Sequence, residues 1–158
     1  MINMGSCVFY MKADECTKHN FYKIEKLIQE GSKAEDFWQN GRGIYNKPAM
    51  PQKQFWCEFQ EKFPIVSEYL KYIKKFGGDS NNELAGYLDF GTEDDFENLE
   101  FIDEYKNDDN EEVGQIKYSA YVWHLADWTG FMKFIQDKFK VRNARWLSEE
   151  DIDPNDVL

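Results

Sequence analysis

The chain has 158 residues, 42% of them hydrophobic and 31% charged, with a formal net charge of −11. That length supports one self-sufficient core, and the composition excludes a disordered or fibrous chain. No apolar run approaches the ~20 residues of a membrane span, so no membrane partner is expected.

The charge is unevenly placed. Residues 1–78 sum to +3 and residues 79–158 to −14. Between Asp89 and Glu112, twelve acids stand against Lys106 alone. Such a field repels nucleic-acid phosphates and attracts basic surfaces. The plainer role of these acids is to keep a chain with 27 aromatic residues soluble.

The start, "MINMGSCVFYMK", lacks the basic residues and apolar stretch of a secretory signal, so the expected location is cytoplasmic. Cys7, Cys16 and Cys57 give no disulfide framework and suit small reduced core residues. Cys16 and His19 have a C-x-x-H spacing, but a zinc site needs a second ligand pair, and His124 is the one other histidine. Neither a metal nor a cofactor is expected.

Ser6 to Ala13 reads as a first strand that ends before the acidic "DEC". A helix follows, capped by Asp14 or Thr17, with Phe21, Ile24, Leu27 and Ile28 at helical spacing. Gly31 suits the position just past a helix end, and Ser32 with Glu35 forms a capping-box pattern. A break at Gly31 is therefore predicted, then a short helix carrying Phe37 and Trp38 to about Gly41. Asn40 to Pro51 is a loop, and its glycines do not have phosphate-loop spacing.

Phe55, Trp56, Phe59 and Phe63 fall on one helical face. Pro64 suits the first position of a new helix. That helix turns Ile65, Val66, Tyr69, Leu70 and Ile73 inward and is predicted to end at Phe76-Gly77-Gly78. Lys71, Lys74 and Lys75 complement its dipole.

The period then changes to two. Leu84 to Phe90 reads as a strand, and so does Leu99 to Tyr105, with Leu99, Phe101 and Tyr105 on one side. "KNDDNEE" is a polar hairpin connection, and Val113 to Leu125 is the longest strand signal. Phe131, Phe134, Ile135 and Phe139 then mark a helix, with Asp127 or Thr129 as its cap. Val141 to Leu147 is a last strand. The expected fold is α+β: a mainly antiparallel sheet of about four to five strands, helices on one face, in the order β-α-α-β-β-β-α-β. Residues 1–147 read as one domain and 148–158 as an acidic extension.

Within "YVWHLADW", strand alternation places Ile116, Tyr118, Ala120, Val122 and His124 on the face that helices cover. His124 and Asp127 could pair across the turn and line a small-ligand or catalytic pocket, but no nucleophile motif accompanies them. Tyr121 and Trp123 lie on the opposite face, and Tyr87 with Asp89 falls on a neighbouring strand. Exposed aromatics ringed by acids such as Asp94, Asp95 and Glu97 suit protein recognition. Direct nucleic-acid binding is not expected, because Lys117 is the lone cation on that strand face. The chain thus reads as a non-enzymatic binding protein of inhibitor, immunity or nucleic-acid-mimic type, engaging a protein with a basic surface. A small-ligand protein or enzyme using His124 and Asp127, and a structural or oligomeric protein, are the alternatives. The sequence does not set the oligomeric state.

Overall fold

A computed structural model describes residues 7–41, 51–74, 76, 98–122 and 128–147. Among them are strands β1 (Cys7–Thr17), β2 (Asn98–Lys106), β3 (Glu112–Val122) and β4 (Arg145–Trp146). The helices are α1 (Lys18–Gly41), α2 (Gln52–Lys62), α3 (Pro64–Tyr72) and α4 (Trp128–Phe139). The class is α+β, as expected; the order among the described residues is β-α-α-α-β-β-α-β, with three helices in place of two after the first strand. The strand read at Leu84–Phe90 lies outside the described residues. The chain divides into two compact units: one holds the chain up to Glu25 and from Gly91 onward, the other the continuous segment Lys26–Phe90.

The first unit is built on a sheet of order β2-β3-β1-β4, every pair antiparallel. Met11 lies opposite Tyr118, Ala13 opposite Ile116, and Ile116 opposite Phe101. Met11, Ala13, Ile116 and Tyr118 are buried, so these rows form the core face. Phe21, from the start of α1, packs on Phe101 at 5.3 Å between ring centroids. Phe131 of α4 reaches Tyr118 at 6.4 Å. Helices therefore cover this face, and the period-two alternation of β3 follows from that one-sided burial.

β1 runs four residues beyond its predicted end. The acidic "DEC" was expected to stop it, but the backbone there finds partners far along the chain. The Asp14 N–H donates to the Arg142 carbonyl, and the Arg142 N–H donates to that of Glu15, each at 2.9 Å. Asp14 accepts hydrogen bonds from Arg145 (2.8 Å) and Asn143 (2.7 Å). These bonds, Asn143's first, hold its carboxyl below the usual carboxylate range. The last strand is shorter than its predicted span. Asn143 adopts a φ of 57°, which leaves a lone bridge from Arg142 to Glu15 and the short β4.

β1 passes into α1 with no intervening loop. Of the two predicted caps, Thr17 acts: its Oγ1 accepts from the Asn20 N–H at 3.2 Å. Thr17→Ala should cost about 1 kcal/mol, while Thr17→Ser should retain most of the stability; urea denaturation checks both. Asn20 Nδ2 also donates to the Phe139 carbonyl at the end of α4. At the other helix, Thr129 falls inside α4 and not at its cap, and Asp127 lies outside the described residues.

The predicted break at Gly31 does not occur, and Ser32 lies in the helix interior. α1 is continuous because its buried stripe is continuous: Ile24, Leu27, Ile28, Gly31, Ala34 and Trp38 are all buried. A mid-helix glycine costs only about 1 kcal/mol, less than an interrupted stripe would lose. In the second unit Phe37 stacks on Phe55 at 5.3 Å, and Phe59 packs against both Trp56 and Phe63. Pro64 opens α3 as expected. Val66, Tyr69 and Leu70 are buried there, and Ile65 and Ile73 half-buried. α3 ends at Tyr72, before the Gly-Gly pair, because Lys74 takes a left-handed φ of 63° and its N–H turns back to the Lys71 carbonyl.

Candidate functional site

The best-described candidate surface is β2 with the hairpin that joins it to β3. Among the described residues β2 is an edge strand. Glu100, Asp103 and Glu104 are exposed along it, and Asp108, Asp109 and Glu111 are exposed in the turn. Asn107 organises that turn: its Oδ1 accepts from the N–H groups of Asp109 and Glu111, at 3.0 and 2.9 Å. Asn110 supplies the left-handed residue, with φ 62°. The acids are thus held on a fixed frame whose bonds run mainly through Asn107 and the backbone.

Tyr105 sits among them with 48% of its surface exposed. The alternation placed it with Leu99 and Phe101, but a register shift between Asp103 and Tyr105 interrupts the ladder. Phe101 stays half-buried, while Tyr105 turns to solvent. At the foot of the hairpin Lys18 meets Glu112 at 3.1 Å. The Glu112 hydrogen bond raises the Lys18 ammonium above its ordinary range. Lys18 also lies 5.9 Å from the centre of the Phe101 ring.

Tyr87, Asp89, Asp94, Asp95, Glu97, Trp123, His124 and Asp127 lie outside the described residues. Tyr121 is placed by its backbone alone, in β3 opposite Val8. The exposure of Tyr105 is what alternation alone does not reveal, since a bulge leaves no sure mark in a run of charged and aromatic residues.

The cysteines divide clearly. Cys16 lies on the core face of β1, and burial pushes its thiol up to about 12. Cys57 is exposed on α2. Alkylation of the folded protein at neutral pH should modify Cys57 and spare Cys16, because so little thiolate forms at a pKa this high; peptide mass spectrometry reads the difference. The Cys16–His19 spacing makes no metal site: Cys16 is buried while His19 is exposed. Among the described residues no group of three or more His, Cys, Asp or Glu side chains is placed to hold a metal. No described helix is long and apolar enough to cross a membrane. Compared with protein-family models, curated proteins and solved structures, the chain matches none of them.

Proposed function

We propose that the chain is a non-enzymatic binding protein that engages the basic surface of another protein through its acidic C-terminal half. One observation carries this reading: an exposed aromatic, Tyr105, stands among six exposed acids on β2 and its turn. Aromatic anchors contribute affinity when a partner desolvates them, and the surrounding charges steer encounter and set register. The same acids repel phosphates, so the partner class is a basic protein and not a nucleic acid. An inhibitor, an immunity protein or a nucleic-acid mimic would present this chemistry.

The test is a titration of the full chain against a panel of basic nucleic-acid-processing enzymes at several salt concentrations. A complex that weakens as salt approaches about 1 M, where the Debye length is about 3 Å, is expected. Tyr105→Ala should raise its Kd about 30-fold, equivalent to about 2 kcal/mol. Glu104→Lys with Asp108→Lys should mainly slow association. Failure of every enzyme in the panel to form a salt-sensitive complex would sink the reading.

A further inference from the structure

A cation is already seated beside the acidic hairpin. Lys18 Nζ lies 3.1 Å from Glu112 Oε2 and 5.9 Å from the centre of the Phe101 ring. The Glu112 hydrogen bond raises its ammonium most; Tyr22 and Asp103 also raise it, so both stand near the same nitrogen. Rings form the floor of this niche. Tyr22 lies 6.0 Å from Phe21, and Phe21 5.3 Å from Phe101, between centroids. Phe21 is buried, Phe101 half-buried and Tyr22 53% exposed, so the shelf runs from the core to solvent. Tyr105 lies opposite Val113, and Val113 opposite Thr17, the residue before Lys18. Niche and hairpin therefore share one end of the sheet. Lys18 fills the niche incompletely: its side chain is 36% exposed, that of Glu112 43%, and the ion pair is made to one carboxylate oxygen, Oε2. Water and salt screen an exposed pair of this kind, so it is weak.

We infer that this niche receives an arginine side chain of the basic partner, and that Lys18 is an internal placeholder which the arginine displaces. The inference rests on the binding function proposed above, and it names the side chain recognised and where it is held. A guanidinium suits the niche better than an ammonium. Its planar fork can meet both oxygens of Glu112 at once. It stacks flat on rings such as Phe101 and Tyr22, and it is more weakly hydrated than an ammonium, so it enters with less desolvation. Asp103 and Glu112 together face the incoming cation once Lys18 has left. The Lys18 stem, attached at the first residue of α1, can turn its head group back to water. Lys18 thereby sets a threshold. Weakly bound cations meet a carboxylate that is already neutralised, whereas an arginine that uses both fork and ring contacts replaces the ammonium, which is selection through competition.

The probe is N-acetylated hexa-arginine amide, which carries no primary amine, titrated into the full chain. Acetylation of the lysines is followed by mass spectrometry with and without it. Lys18 should become several-fold more reactive as the peptide binds, because its ammonium is released, while the exposed Lys53 does not change. Unchanged or lowered Lys18 reactivity would show that the peptide binds without displacing it, and overturns the inference. So does a rise at Lys106, which lies opposite Glu112, as large as that at Lys18, since a general loss of negative field acts on both. Affinity gives the second measurement. Lys18→Met should bind hexa-arginine several-fold more tightly than the parent does, beyond the gain from Lys106→Met, which removes the same charge. The parent should also bind hexa-arginine several-fold more tightly than hexa-lysine. Equal gains from the two variants, or equal affinity for the two peptides, overturn the niche while leaving a basic partner in place. Absence of salt-sensitive binding of either peptide by both the parent and Lys18→Met also overturns the niche, and the function then rests on the enzyme panel alone.

Discussion

Phe59→Ala is expected to destabilise the second unit by about 3–5 kcal/mol, the range for removing a fully buried aromatic ring. Phe59 has no exposed surface. Its ring centroid lies 5.3 Å from that of Phe63, 5.4 Å from Trp56, 5.7 Å from Phe55, 6.1 Å from Phe37 and 6.4 Å from Phe76. One substitution therefore removes the shared neighbour of five rings: Phe37 of α1, Phe55 and Trp56 of α2, Phe63 between α2 and α3, and Phe76 beyond α3. Small shifts cannot refill such a space, because each surrounding ring is itself held by another. Phe59→Leu keeps most of the apolar volume and should cost clearly less. Urea unfolding followed by tryptophan fluorescence reads the difference, since Trp56 touches the altered site. An alanine variant within about 0.5 kcal/mol of the parent, the ordinary surface range, would contradict this packing.

Gly114→Ala should be nearly as damaging, for a different reason. A Cβ at Gly114 would collide with the Ile102 carbonyl oxygen, and it would lie 2.7 Å from the carbonyl carbon and 3.0 Å from Cζ of Phe101. The obstacle is mainly backbone, so no rotamer change relieves it, and β2 must move away from β3. Both register shifts of the sheet flank this position: Ala13 to Cys16 on one side, where Cys16 faces Gly114, and Asp103 to Tyr105 on the other, where Asp103 faces it. The missing side chain is what lets the neighbouring strands crowd in here. A loss of about 1–3 kcal/mol or more is expected, as for other overpacked sites. Gln115→Ala, one residue along, should stay within about 0.5 kcal/mol. A near-neutral Gly114→Ala would show that the strands do not approach as closely as described.

The helices were legible wherever burial repeats at helical spacing. Phe21, Ile24, Leu27 and Ile28 are buried as their spacing predicts, and so are Phe131, Phe134, Ile135 and Phe139. The hairpin from Lys106 to Glu112 was legible from its polar turn residues. Errors arose where a local rule met a distant partner. Gly31 follows the rule for a helix end, yet burial on both sides of it carries α1 onward. Asp14 and Glu15 read as a strand end, yet their partners lie at Arg142, Asn143 and Arg145. No local window contains that pairing. Gly114 did offer a signal, since an isolated glycine within a strand pattern marks a bulge or a close approach. For the candidate site, the concentration of acids before Glu112 was plain in the sequence. The exposure of Tyr105 depends on a register shift that composition does not encode.

The division of the chain also sets an order of assembly. The second unit is a single uninterrupted segment, Lys26–Phe90, whereas β1 finds its partners in β3 and β4, about a hundred residues or more later. During synthesis the Lys26–Phe90 segment can close its own core while β2, β3 and β4 are still unmade. β1 meanwhile waits with its backbone unpaired, and the sheet must be the slower, high-contact-order event. A nascent chain arrested before β2 would therefore hold one finished body and one unmatched strand, which is the stage at which this protein is most open to chaperones and to aggregation.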